Sequence, residues 1–168
     1  MKAISISMTV AMVVLLVGCS DTGGPSRKLS MRIDPAQCSI SMDDEIILAA
    51  KIVSAKKLFA ASFDIEFDND IIDVEDVTVP ASCILGSDCT ICSFNETEHG
   101  ISVGIGRIQT PEDDNVSGSG TLVEIHIRAK ANGSTTVSFQ NVHIIDEAGN
   151  PIPRMEKLQT KHATVTVQ

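Results

Sequence analysis

The 168-residue chain contains no tryptophan and no tyrosine, and its aromatic content rests on five phenylalanines. Platforms that hold sugar rings usually present exposed indole or phenol faces, so a carbohydrate-binding surface of that kind has little to be built from. Beyond the first residues, sustained helical periodicity is also missing, which leaves strands as the expected building element. Lys and Arg number 13 against 22 Asp and Glu, for a formal net charge of −9, and no Lys/Arg cluster interrupts this acidic balance. A surface of that sign repels phosphate backbones, so nucleic acid is not an expected partner. No Gly-x-Ser-x-Gly elbow occurs, and spacing groups no serine with a histidine and an acid. A glycosidase-type carboxylate pair could be drawn from so many Asp and Glu residues that any choice is uninformative. No enzymatic activity is expected.

A long apolar run occurs only at the start. Lys2 is followed by a mostly apolar stretch over 4–17 that ends Leu15-Leu16-Val17-Gly18-Cys19. It is too short to span a membrane and closes on a small residue, so residues 1–18 read as a secretory signal. The string LVGC resembles the lipobox of bacterial lipoproteins. That resemblance implies that Cys19 becomes the new N-terminus and carries the lipid, which is then the chain's contact with the cell envelope. Ser20 stands where Asp would resemble an inner-membrane retention signal, so the outer membrane is the expected destination. The alternative is an ordinary signal peptide cleaved elsewhere, with Cys19 left free. Residues 19–30 have the Gly/Pro/Ser content of a flexible tether, and residues 31–168 are of a size for one domain with its own core. With no basic patch along the sequence, such an anchor brings an acidic body to the membrane with nothing to hold it flat.

Apart from Cys19, four cysteines remain: Cys38, Cys83, Cys89 and Cys92. In an exported chain an even number points to disulfides, and four cysteines allow three pairings. The expected role is to staple the loop over 80–92 and tie it to Cys38. The alternative, a metal site from Cys83-x5-Cys89-x2-Cys92, lacks paired CxxC units, and His99 is the sole histidine nearby. The other histidines, His126, His143 and His162, fall on outward strand positions with no spacing that makes them converge, so no metal site is expected from them. Two acidic turns, Asp68-Asn69-Asp70 with Asp73 and Glu112-Asp113-Asp114, offer the hard oxygens that calcium wants. Neither has EF-hand spacing, and acidic turns are far commoner than ion sites.

The chain is organised around residues 58–79 (LFAASFDIEFDNDIIDVEDVTV). Phe59, Ala61, Phe63, Ile65 and Phe67 alternate with Ala60, Ser62, Asp64, Glu66 and Asp68, the period of a strand with one dry and one wet face. Asp68-Asn69-Asp70 supplies a turn, after which Ile72, Val74, Val77 and Val79 form a second strand whose phase slips by one residue, predicting a bulge near Glu75-Asp76. Upstream, 31–33 and 38–41 are short strands parted by Asp34-Pro35, and 45–54 is apolar on both faces, as in a central strand. Downstream, residues 95–100 form a polar turn. Ile101, Val103 and Ile105 then alternate with Ser102, Gly104 and Gly106, where glycine implies either a pressing neighbour or the close approach of a partner's backbone. Residues 111–120 form a loop. Val123, Ile125 and Ile127 point inward on 121–129, and Asn132-Gly133 signals a hairpin, from which 135–145 either runs back antiparallel or crosses to a facing sheet. The slip between Val137/Phe139 and Val142/Ile144 predicts a second bulge at Gln140-Asn141. Residues 163–167 close the domain. About nine short strands read as an all-β antiparallel sandwich of jelly-roll type.

Two segments, 63–77 (FDIEFDNDIIDVEDV) and 119–145 (SGTLVEIHIRAKANGSTTVSFQNVHII), with the order of elements between them, resemble the cohesin fold. In that fold an aromatic-Asp strand end meets an Asp-type turn, and a Gly-Thr-Leu begins a later strand. The resemblance covers nearly all of 31–168. It implies a sandwich whose flat face docks a dockerin module of another protein. Cellulosomal cohesins often place Asn and Asp before the aromatic-Asp pair, where this chain has Ala60 and Ser62. Asp64 and Glu66 remain on that face, so Ala60, Ser62, Asp64 and Glu66 are the expected contact residues for a dockerin-type or other envelope partner. The alternative is a carbohydrate-binding or calcium-stabilised envelope module.

Overall fold

The computed structural model describes residues 28–86, 90–108 and 115–168. Within them the chain forms β1 (Ser30–Asp34), β2 (Gln37–Ile40), β3 (Glu45–Leu58), β4 (Ala60–Glu66), β5 (Ile72–Thr78), β6 (Thr90–Thr97), β7 (Gly100–Arg107), β8 (Val116–Ala129), β9 (Gly133–Ile145), β10 (Gln159–Lys161) and β11 (Ala163–Val167), with one 3-10 turn at Met155–Lys157. The strands make two sheets, a back sheet in the order β10-β1-β3-β8-β5 and a front sheet in the order β2-β11-β9-β4-β7-β6. All pairs are antiparallel except β1 with β10 and β2 with β11. The sequence implied about nine strands. The two additions are β6, whose inward positions are only half-buried, and β10, three residues long and exposed throughout. Neither carries an apolar alternation strong enough to be recognised.

Alternation dictates the layering. Ala61, Phe63 and Ile65 of β4 face Leu48, Ala50 and Ile52 of β3 and Val123, Ile125 and Ile127 of β8 in one core. The Phe63 and Phe139 rings meet edge to face at 5.5 Å, a favoured aromatic geometry. Phe59 departs from the expected dry stripe. It is half-buried, because it sits at the corner where the chain leaves β3 in one sheet for β4 in the other.

Both predicted bulges are present. The β5/β8 register shifts between Val74 and Asp76. The β4/β9 register shifts between Ser62 and Asp64, opposite Asn141, whose φ is +45°. The Asp68 turn is closed by the Asp70 N–H donating to Asp68 Oδ1 at 2.9 Å, and it is an arch: β4 and β5 lie in different sheets. The Asn132-Gly133 corner likewise sends β9 across to the front sheet. Residues 116–120, expected in a loop, extend β8 and pair with the far end of β3 through irregular register. The segment over 95–97, expected as a turn, belongs to β6, and Leu29 and Ser30, expected in the tether, belong to the domain, Leu29 being 2% exposed.

Candidate docking face

The front sheet buries one face and leaves the other open. Across β9, β4, β7 and β6 its outer positions form four rows in register: Ile145, Ala60, Gly106, Ile91; His143, Ser62, Gly104, Ser93; Gln140, Asp64, Ser102, Asn95; and Ser138, Glu66, Gly100, Thr97. The four residues expected on the partner side, Ala60, Ser62, Asp64 and Glu66, therefore form the central column of a flat four-strand surface. What the sequence did not reveal is the rest of that surface, above all Ile91, which is 63% exposed on an edge strand. Its signal was present in the alternation of Ile91 and Ser93 with Cys92 and Phe94. The face is graded: its first row is apolar and its last is polar.

At the apolar end lies a hollow of about 470 Å³ lined by Phe59, Ala60, Ser62, Ile91, Gly104 and His143 among others. Its floor is low because Gly104 and Gly106 carry no side chain. A Cβ at Gly104 would meet only the Ser93 hydroxyl, at 3.6 Å, whereas one at Gly106 would press Ala60 at 3.0 Å. Of the two readings for these glycines, a pressed neighbour fits Gly106, and open space for an incoming group fits Gly104. At the polar end, Asn141 Nδ2 donates to Asp64 Oδ2 at 2.7 Å. That bond, with a second from the Ser102 hydroxyl, holds the Asp64 carboxyl below the usual carboxylate range; partial burial opposes the shift and nearby His143 assists it. Asp64 is thus a fixed, ionised acceptor, locked by the bulge that places Asn141.

The remaining sequence candidates do not gather. Cys38, Cys83 and Cys92 are free thiols, each with its ionisation pushed up by burial. The expected tie to Cys38 is overturned by topology: β2 and β6 are the two edges of the front sheet. At about 4.8 Å per strand that separates Cys38 from Cys92 by about 24 Å, far beyond the ~7 Å that a disulfide spans between Cα atoms. Cys83 lies on the other side, bridged to Thr121 of β8, its thiol donating to the Leu122 carbonyl at 3.4 Å. Cys19, Cys89 and the Glu112-Asp113-Asp114 turn lie outside the described residues, as does the signal segment 1–18. His99, His126, His143 and His162 occupy a turn, β8, β9 and the link before β11. The Asp68 and Asp73 carboxylates accept backbone N–H groups, of Asp70 and Val74. Among the described residues no group of three or more His, Cys, Asp or Glu side chains is placed to hold a metal ion.

A jelly-roll sandwich with one sheet face kept flat, small-residued and open defines a class of β-modules built for surface contact. A profile of the cohesin domain matches residues 39–155, well over half of the chain, and the chain belongs to the cohesin domain family. Solved structures agree at the level of the fold. A non-cellulosomal cohesin from the archaeon Archaeoglobus fulgidus superposes with a TM-score of 0.66 at 20% identity, covering 84% of this chain and 92% of that one. The sixth cohesin of scaffoldin B from Acetivibrio cellulolyticus, solved with a Cel5 dockerin, gives 0.66 at 12% identity over 84% of this chain and all of that one. A type I cohesin–dockerin complex from Clostridium thermocellum gives 0.64 at 16% identity, with the same two coverages. Curated protein sequences returned no significant match.

Proposed function

We propose that the chain is a non-catalytic docking module, held to the cell envelope through a lipid on Cys19, whose front face across β9, β4, β7 and β6 receives another protein. The observation that carries this reading is the face itself, four in-register rows with a glycine-floored hollow beside exposed Ile91 and a fixed acceptor at Asp64. A partner offering one apolar side chain for the hollow and a donor for Asp64 would match both ends of the gradient. A dockerin-type module is the favoured class, supported by family membership and by the dockerins bound to two of the similar cohesins. Another envelope protein is the alternative, in keeping with Ala60 and Ser62 in the central column. A sugar ligand ranks lower, since the face presents Ala, Ser and Gly where ring-stacking surfaces present Trp or Tyr. The test is calorimetric titration of the full chain with dockerin-type modules encoded in the same genome. At least one is expected to bind, and Ser62→Arg, which fills the hollow from an exposed position, is expected to weaken it at least about tenfold. Binding that Ser62→Arg leaves unchanged would overturn the assignment of the face.

A further inference from the structure

The fold assembles a positively charged corner that the sequence does not show. On the outer side of the back sheet, Lys161 of β10, Arg32 of β1 and Lys51 of β3 are consecutive register partners, three cations side by side across three adjacent strands. Like charges placed directly opposite each other oppose strand pairing. Asp34 neutralises one of them through its ion pair with Lys51. About 7 Å further along the same strands, Lys28, Arg154 and Lys157 ring a hollow of about 540 Å³ whose walls include Leu29 and Leu158. Six cations from three separate parts of the chain thus meet at one corner, with Asp34 and Glu156 as acidic neighbours, in a molecule whose formal net charge is −9.

The position of this corner selects its partner. Lys28 is where the described chain begins, so the cations surround the point at which the segment from Cys19 enters the domain. Nine residue steps from Cys19 to Lys28 reach at most about 32 Å. Wherever that segment is held at a lipid surface, the cationic corner is the part of the domain nearest to it. We infer that this corner rests on anionic phospholipid headgroups: Lys28, Arg32, Arg154, Lys157 and Lys161 face the phosphates, and the lysine stems lie along Leu29 and Leu158. Juxtamembrane Lys and Arg gain energy from an anionic surface within about a Debye length, and Lys covers apolar surface with its stem while its head reaches outward. The contact orients the domain. The inference rests on the anchored reading for its location, and it replaces a body hung loosely on a tether with one seated on a defined corner.

The experiment is hydrogen exchange on the full chain mixed with vesicles of phosphatidylcholine alone or of phosphatidylcholine with phosphatidylglycerol, for the wild type and for K28E/K157E/K161E. All three lysines are exposed, so the variant is expected to fold, which an unchanged circular-dichroism melt verifies. Exchange over 154–161 is expected to slow severalfold on the anionic vesicles only, to recover in high salt, and to be insensitive to vesicle charge in the variant. Slowing on anionic vesicles with no binding to neutral ones would support the corner and count against the separate anchor. Equal exchange on both vesicles, with the chain bound to both, would overturn the corner and leave the anchor standing. Chain left in solution by both vesicles would overturn both readings. Protection by soluble polyphosphate but not by anionic vesicles would replace the membrane with a soluble polyanion and overturn the inference.

Discussion

Asp64 and Gly100 show how single residues set up the open face. The Asp64 carboxylate titrates below its ordinary range because Asn141 and Ser102 donate to it. A depressed carboxylate contributes stability that is present above its unfolded titration point and is lost as pH falls through the folded one. Asn141→Ala is therefore expected to move the Asp64 titration upward, toward an ordinary Asp, in a carboxyl-carbon NMR titration; an unmoved midpoint would mean that the bond does not hold the group. Gly100 has φ +146°, and a Cβ there would sit 2.0 Å from the Ile65 carbonyl oxygen. Gly100→Ala is expected to cost about 3 kcal/mol in denaturant unfolding, and a cost under about 0.5 kcal/mol would show that the hairpin relaxes freely. Asp64 was legible as an outward strand residue from alternation alone. Its hydrogen bonds were not, since Asn141 lies 77 positions away and only the front-sheet register brings the two together.

The strands that alternate most cleanly, β4 and β8, were the most legible elements, because a one-residue slip would turn their whole apolar set outward. The same logic exposed both bulges: Val142 and Ile144 could not share a face with Val137 and Phe139 without an extra residue between them. Deleting Asn141 removes that residue and would turn Ile144, 1% exposed, toward solvent. The deletion is expected to abolish cooperative thermal unfolding, and a retained sharp transition would show that the bulge is dispensable. Edge elements were poorly legible for the complementary reason. β6 buries only half of its inward side chains and β10 none, so neither leaves an apolar signature. Reading 80–92 as a cysteine-stapled loop missed that Cys92 sits within β6, and pairing it with Cys38 ignored which strands are edges. Non-reducing peptide mapping is expected to find no cross-link to Cys38; a Cys38–Cys83 or Cys38–Cys92 peptide would contradict the strand order.

At the scale of the molecule the two sheets divide the labour. The outer side of the front sheet is small, graded and open, while the outer side of the back sheet carries charge, with Arg128 joining Glu45 and Glu75 at 2.6 Å each and the cationic corner beyond β1. The sequence shows the sandwich, because binary patterning is local. It hides the sidedness, because both the docking rows and the corner are made by strands remote in the chain. Acylation is the step that places the molecule: Cys19→Ala is expected to lose label from an alkyne fatty acid fed to the host, and a labelled variant would move the attachment elsewhere. The account's central claim is that contact is made by the front face. It is tested most directly by a photo-crosslinking amino acid placed in the native host at Ile91 on that face, or at Glu124 on the back sheet as control. A discrete protein adduct from position 91 and none from 124 is the predicted result; an adduct from 124 alone would contradict it.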